Sequence, residues 1–151
     1  MALKKSPIEL KQQYSTSSPS KGFKIVQLVT ISLAQGLTAA NDLIALGKMP
    51  ANCRPVAIEL IGGGLPAGST ATVGWLTDQA HADSNVVRTM PAENEMQSGV
   101  NVAANTATKV STPSCLKMGV ADYDRTIGVK LSADVPPGAA SLTMLMEYAS
   151  L

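Results

Sequence analysis

The sequence predicts an all-β fold: a single-domain, jelly-roll-like β-sandwich of about eight strands with an extended N-terminal arm. Two runs within residues 124–148 carry that prediction. Ile127, Val129 and Leu131 alternate with Thr126, Gly128 and Lys130, and Leu142, Met144, Met146 and Tyr148 alternate with Thr143, Leu145 and Glu147. This is the two-residue period of half-buried strands. Between the runs, Pro136, Pro137 and Gly138 stop both ladders, because proline has no amide hydrogen to donate. A third observation is compositional. Of the 151 residues 45% are hydrophobic, but only 3% are aromatic and 15% charged, so the core must be aliphatic and the surface bland. A chain of this length fits one domain whose core needs no disulfide.

Taken in order, residues 1–22 read as a flexible basic arm: a short helical piece over residues 8–14, then a Ser/Thr/Pro stretch over residues 15–22 with almost nothing to bury. The sandwich domain spans residues 23–151. Its first strand, residues 23–33, is dense in β-branched residues, with Gln27, Val29, Ile31 and Leu33 on one side. A loop over residues 34–42 leads to a short apolar run, residues 43–46, ended by Gly47 to Pro50. Val56, Ile58 and Leu60 then alternate with Ala57 and Glu59 in a strand that stops at Gly62, Gly63 and Gly64.

That triple glycine leads into another strand rather than a helix N-terminus, so it reads as a strand connection and not as a phosphate cradle. In residues 70–76, Ala71, Val73 and Trp75 oppose Thr70, Thr72 and Gly74, with the Trp75 ring anchoring the core and its indole nitrogen at an edge. The pattern then fades. Residues 86–90 and 107–111 read as short strands, residues 91–99 as an exposed connection, residues 115–120 as another short strand and residues 121–124 as a turn. Asp78, His81 and Asp83 sit in a polar loop without a fourth ligand or a rigid element, which argues for an exposed loop over a metal site.

Charge is unevenly spread. Residues 1–24 carry Lys4, Lys5, Lys11, Lys21 and Lys24 against Glu9, a local +4, which leaves −3 for the rest of a chain whose net charge is +1. Such an arm suits electrostatic docking, but with no arginine and one aromatic ring, Tyr14, it does not argue for direct nucleic-acid binding. Cys53 and Cys115 have no CxxC or histidine companion and read as reduced, partly buried thiols. No apolar segment has the form of a signal peptide or approaches the roughly 18 residues of a membrane span. One histidine, dispersed cysteines and no paired carboxylates on a recognisable frame argue against an enzyme and imply no cofactor.

The order of elements adds a resemblance. The opening strand, residues 43–56 (LIALGKMPANCRPV), the strand ending in Gly-Gly, residues 70–74 (TATVG) and residues 124–131 (DRTIGVKL) resemble small head structural proteins of tailed bacteriophages, read as capsid decoration or cement proteins. The resemblance covers residues 23–148 and implies a non-enzymatic virion protein. Such a protein binds the exterior of an icosahedral shell at capsomer junctions, with the major capsid protein and itself, as a dimer or trimer, for partners. It carries no catalytic motif. On this reading the arm supplies the capsid-binding residues: Ile8, Leu10 and Tyr14 as apolar anchors, and Lys4, Lys5 and Lys11 facing acidic shell surface. Two alternatives share the fold: a phage tail or baseplate component, and a carbohydrate-binding adhesive sandwich.

Overall fold

The computed structural model describes residues 2–5, 24–77, 88–103, 105–117 and 119–150. Period-two alternation there builds nine strands: β1 (Ala2–Lys5), β2 (Lys24–Ser32), β3 (Asp42–Met49), β4 (Cys53–Gly63), β5 (Thr70–Trp75), β6 (Glu95–Asn101), β7 (Ala107–Lys109), β8 (Arg125–Leu131) and β9 (Ser141–Ser150). They form a five-stranded sheet in the order β1-β3-β8-β5-β6 and a four-stranded sheet in the order β2-β9-β4-β7. Apart from β5 and β6, no two hydrogen-bonded neighbours are consecutive in the chain. Without β1, these are the two interleaved four-stranded sheets of a jelly roll, as the sequence predicts.

The core lies between the sheets and is filled by alternate residues. In β9, Leu142, Met144, Met146 and Tyr148 are buried, while Ser141, Thr143, Leu145 and Glu147 are only half-buried. In β2, Gln27, Val29 and Ile31 face in, and β9 pairs it antiparallel from Lys24↔Ala149 to Ser32↔Ser141 without a break. Outside the strands, Leu37 and Val135 exchange two backbone hydrogen bonds of 2.8 Å, tying the two long loops together at one end.

A second, smaller apolar cluster lies apart from this core and joins Leu43 and Ala45 of β3 to Leu76 and Met90. Here β3 and β8 are buried on both faces; the β3 sequence loses the alternation of a one-sided strand, whereas β8 keeps it because Thr126 and Gly128 take the second buried face. Leu76 leaves β5 and packs over Gly128, where a Cβ would overlap its side chain. Residues 88–90 are held across the same place, Arg88 by donating to the Thr126 hydroxyl at 2.9 Å and Met90 by its carbonyl accepting from Lys130 Nζ at 2.6 Å.

Several elements depart from the expectation. The run at residues 43–46 continues through Gly47 and Lys48 to Met49, because a register shift between Ala45 and Gly47 lets the ladder with β8 resume. Val56 is not inward-facing beside Ile58 and Leu60: a bulge between Pro55 and Ala57 shifts the phase, and Cys53 and Pro55 are buried in its place. Residues 91–99 are not all connection, since β6 forms around buried Met96 and Val100, an edge strand whose exposed residues are polar enough to read as loop. Of the strand expected over residues 115–120, the described residues 115–117 and 119–120 are not strand. They begin inside a short helix, α1 (Thr112–Lys117), for which Ser111 is the cap: its hydroxyl accepts from the Ser114 amide at 3.3 Å, with Pro113 in the first turn. Residues 88–90 are not strand, and the rest of that expected strand lies outside the described residues.

Close packing makes one glycine a test of this arrangement. A Cβ at Gly62 would overlap the Val102 carbonyl, whereas one at Gly138 meets nothing within 4 Å. Gly62→Ala is expected to lower the urea unfolding free energy by about 1–3 kcal/mol, and Gly138→Ala to change it by under about 0.5 kcal/mol.

Candidate protein-binding surfaces

Among the residues expected to bind a partner, Lys4 and Lys5 belong to β1, whose backbone runs parallel to β3 with Lys4 beside Ile44 and Lys5 beside Ala45. The start of the arm is thus paired with the sheet. Ile8, Leu10, Lys11 and Tyr14 lie outside the described residues, as do Asp78, His81 and Asp83. Among the described residues no group of three or more His, Cys, Asp and Glu is placed to hold a metal, and no helix is long and apolar enough to cross a membrane.

What the described surface offers is exposed apolar side chains on rigid backbone. On the outer face of the four-stranded sheet, Val26 and Leu28 of β2 are 57% and 62% exposed. Leu28 stands beside half-buried Leu145 of β9, with Glu59 of β4 and Lys109 of β7 beyond it in the same cross-strand row. One row along, the Thr30 and Thr143 hydroxyls share a hydrogen bond of 2.9 Å. A small depression lined by Ala57, Glu59, Lys109, Leu145 and Glu147 marks the boundary between the apolar and the charged half. The sequence carried a signal for this surface: β2 has Val26 and Leu28 on the side opposite Val29 and Ile31, so it is apolar on both faces.

The second set, Leu116 in α1 with Val120 and Tyr123 after it, is 42–49% exposed. Buried Cys115 fixes the helix. The Asn52 amide donates to the Ala121 carbonyl at 2.7 Å, and the Ala51 amide to Asp124 Oδ1 at 2.9 Å, so the β3–β4 turn clamps the chain on either side of Tyr123 and next to Val120. At the foot of the clamp the Arg125 guanidinium lies over the Trp75 ring, 4.1 Å from its centre, and donates to the Cys53 carbonyl at 3.2 Å. The indole nitrogen, expected at an edge, is buried and has no hydrogen-bond partner among the described residues.

Burial also perturbs the groups beneath. It pushes the Cys53 thiol above its ordinary 9.0, helped by the Asp124 charge. The Cys115 thiol rises as well, chiefly through burial. Burial raises the Tyr148 phenol above 10.0, with Cys53 adding to the effect. Each group therefore stays protonated to higher pH in the folded chain than in the unfolded one. Cys53 and Cys115 are both free thiols.

No protein-family model and no curated protein matches the sequence. The fold does have solved counterparts. A chain in the capsid of Ralstonia phage GP4 superposes with a TM-score of 0.82 at 20% identity, over 99% of both chains. A chain of the cyanophage Pam1 capsid asymmetric unit gives a TM-score of 0.53 at 12% identity, covering 93% of this chain and 96% of that one.

Arg125→Met keeps bulk over Trp75 but removes the donor to the Cys53 carbonyl, and is expected to cost about 1–3 kcal/mol. The fluorescence of Trp75, the one tryptophan, reports the lost cation over its face directly. Alkali acts through the thiols and the phenol. Their contribution to stability is complete below the unfolded values of 9.0 and 10.0 and declines above them, because the unfolded chain gives up its protons first. Melting temperature should be flat up to that range and fall beyond it, with Tyr148→Phe showing a shallower fall.

Proposed function

We propose that this chain is a structural protein of a phage virion that binds the outside of the capsid at junctions between capsomers and reinforces the shell. The observation that carries the reading is the likeness, over essentially its whole length, to a chain found in the Ralstonia phage GP4 capsid. That neighbour is this fold and nothing more, so a jelly roll of this size is by itself a workable capsid component. The sequence motifs of residues 43–56 and 124–131 support the same reading independently.

The chemistry of the surface suits such a role. With 15% charged residues and a net charge of +1, little has to be desolvated when the protein lies against another protein. Leu116 stands on α1, and Val120 and Tyr123 stand beside clamped backbone, so ordering them on binding costs little entropy. In this reading they contact the major capsid protein together with the arm, where Ile8, Leu10 and Tyr14 supply apolar anchors and Lys4, Lys5 and Lys11 meet acidic shell surface. Each contact is modest, but repeated around a closed symmetric shell such contacts act together. A sugar-binding role has less to work with. Trp75 and Tyr148 are buried, which leaves Tyr123 as the exposed ring among the described residues.

Sedimentation with mature capsids stripped of accessory proteins tests the proposal. The full chain should bind saturably at a fixed ratio to the major capsid protein. Tyr123→Ala should weaken binding about tenfold, and a chain lacking residues 1–22 should bind more weakly still. Failure of the full chain to bind would sink the decoration role.

A further inference from the structure

A β-sandwich has to protect the edges of its sheets, since an open edge offers unpaired N–H and C=O groups to any passing strand. Three of the four edges here are protected. β1 is four residues long and carries Lys4 and Lys5 in its sequence. β6 breaks register twice against β5 and has Gly99 in the left-handed region at φ 70°. β7 is three residues long and ends on Lys109.

The fourth edge, β2, has none of these devices. It is nine residues long (KIVQLVTIS), without proline or glycine and uncharged after Lys24. Its pairing with β9 runs its full length without a bulge, and its other side has no strand partner among the described residues. Alongside that open edge stand the two most exposed large apolar side chains of the described surface, Val26 and Leu28.

We propose that the free edge of β2 is an interface between copies of this chain, two β2 strands pairing antiparallel across a two-fold axis through Leu28. The strand is self-complementary in that arrangement. Leu28 lies opposite the partner's Leu28, Val26 opposite the partner's Thr30 and Lys24 opposite the partner's Ser32, so no like charges meet. Leu145 flanks Leu28 on each side, and four leucines then form an unbroken stripe across the seam of a continuous eight-stranded sheet. Because the contact is isologous, it satisfies both edges at once and closes on itself, whereas a head-to-tail use of the same edge would run on into fibres. The capsid resemblance already implies a dimer or trimer; what the β2 edge adds is the interface, and its test in free solution is separate from capsid binding.

Sedimentation equilibrium of the full chain across the micromolar range tests it, together with two variants. The unaltered chain should be a dimer. Leu28→Lys sets two lysines face to face across the axis and should weaken dimerisation at least about tenfold, with melting temperature measured alongside; at 62% exposure the side chain has little folded packing to lose. Leu28→Cys should form an intermolecular disulfide on mild oxidation, against a low background because Cys53 and Cys115 are buried. A chain that stays monomeric and gives no cross-link, an assembly that survives Leu28→Lys, or one of a different order would each overturn the pairing.

Discussion

The interior of this molecule has to be filled almost without rings, and much else in the structure depends on that constraint. Two sheets packed face to face leave a slab about 10 Å thick, and here Leu, Ile, Val and Met side chains fill it, with Trp75 and Tyr148 as the aromatic contributors. Small side chains reach only their immediate neighbours, so many contacts of modest size must all be in register at once. The unbroken β2–β9 ladder supplies that register for one sheet. Methionine takes up the irregular gaps: Met49, Met96, Met144 and Met146 are all buried in the main core, where an unbranched, flexible side chain accommodates bulged backbone better than a stiff one. The one large ring system, Trp75, is held by a cation over its face rather than by a hydrogen bond to its nitrogen.

Legibility in the sequence followed from how one-sided each strand is. β2 and β9 each bury one face against the slab, and β5 and β8 keep the same alternation in sequence because their outward residues are Thr, Gly and Lys; that alternation gives both position and orientation, down to inward Gln27 and Tyr148. β3 looks short in the sequence because Leu43 and Ala45 face a second cluster on its far side, which turns alternation into a solid apolar run. β6 is illegible for the opposite reason: an edge strand with two buried residues has too little apolar periodicity to separate from a loop. The bulge at Pro55 is a phase error that no two-residue pattern can contain. α1 was legible in principle, since Ser111 and Pro113 are a helix start, but the apolar residues that follow pulled the reading toward a strand.

The binding surfaces were less legible than the fold. The sequence pointed to the arm because it was basic and unpatterned. The described surface points to β2 and to the α1–β8 connection, where exposure depends on partners far away in the chain. Leu28 is exposed because β9 and β4 occupy the sheet beside it and leave its outer face bare, and Tyr123 because residues 51 and 52 hold the backbone beneath it.

The position of β9 also sets the order in which the protein can be made. This strand, drawn from residues 141–150, lies between β2 and β4 and pairs with both along most of its length. While the ribosome is still translating the middle of the chain, the four-stranded sheet has no central member, and the first core strand waits on the order of ten seconds for its neighbour at ordinary synthesis rates. Until β9 emerges, β2 and β4 have no strand to join them into one sheet. Nascent chains emerging side by side from one messenger carry bare β2 segments throughout that wait, the period in which the protein is most open to misassembly.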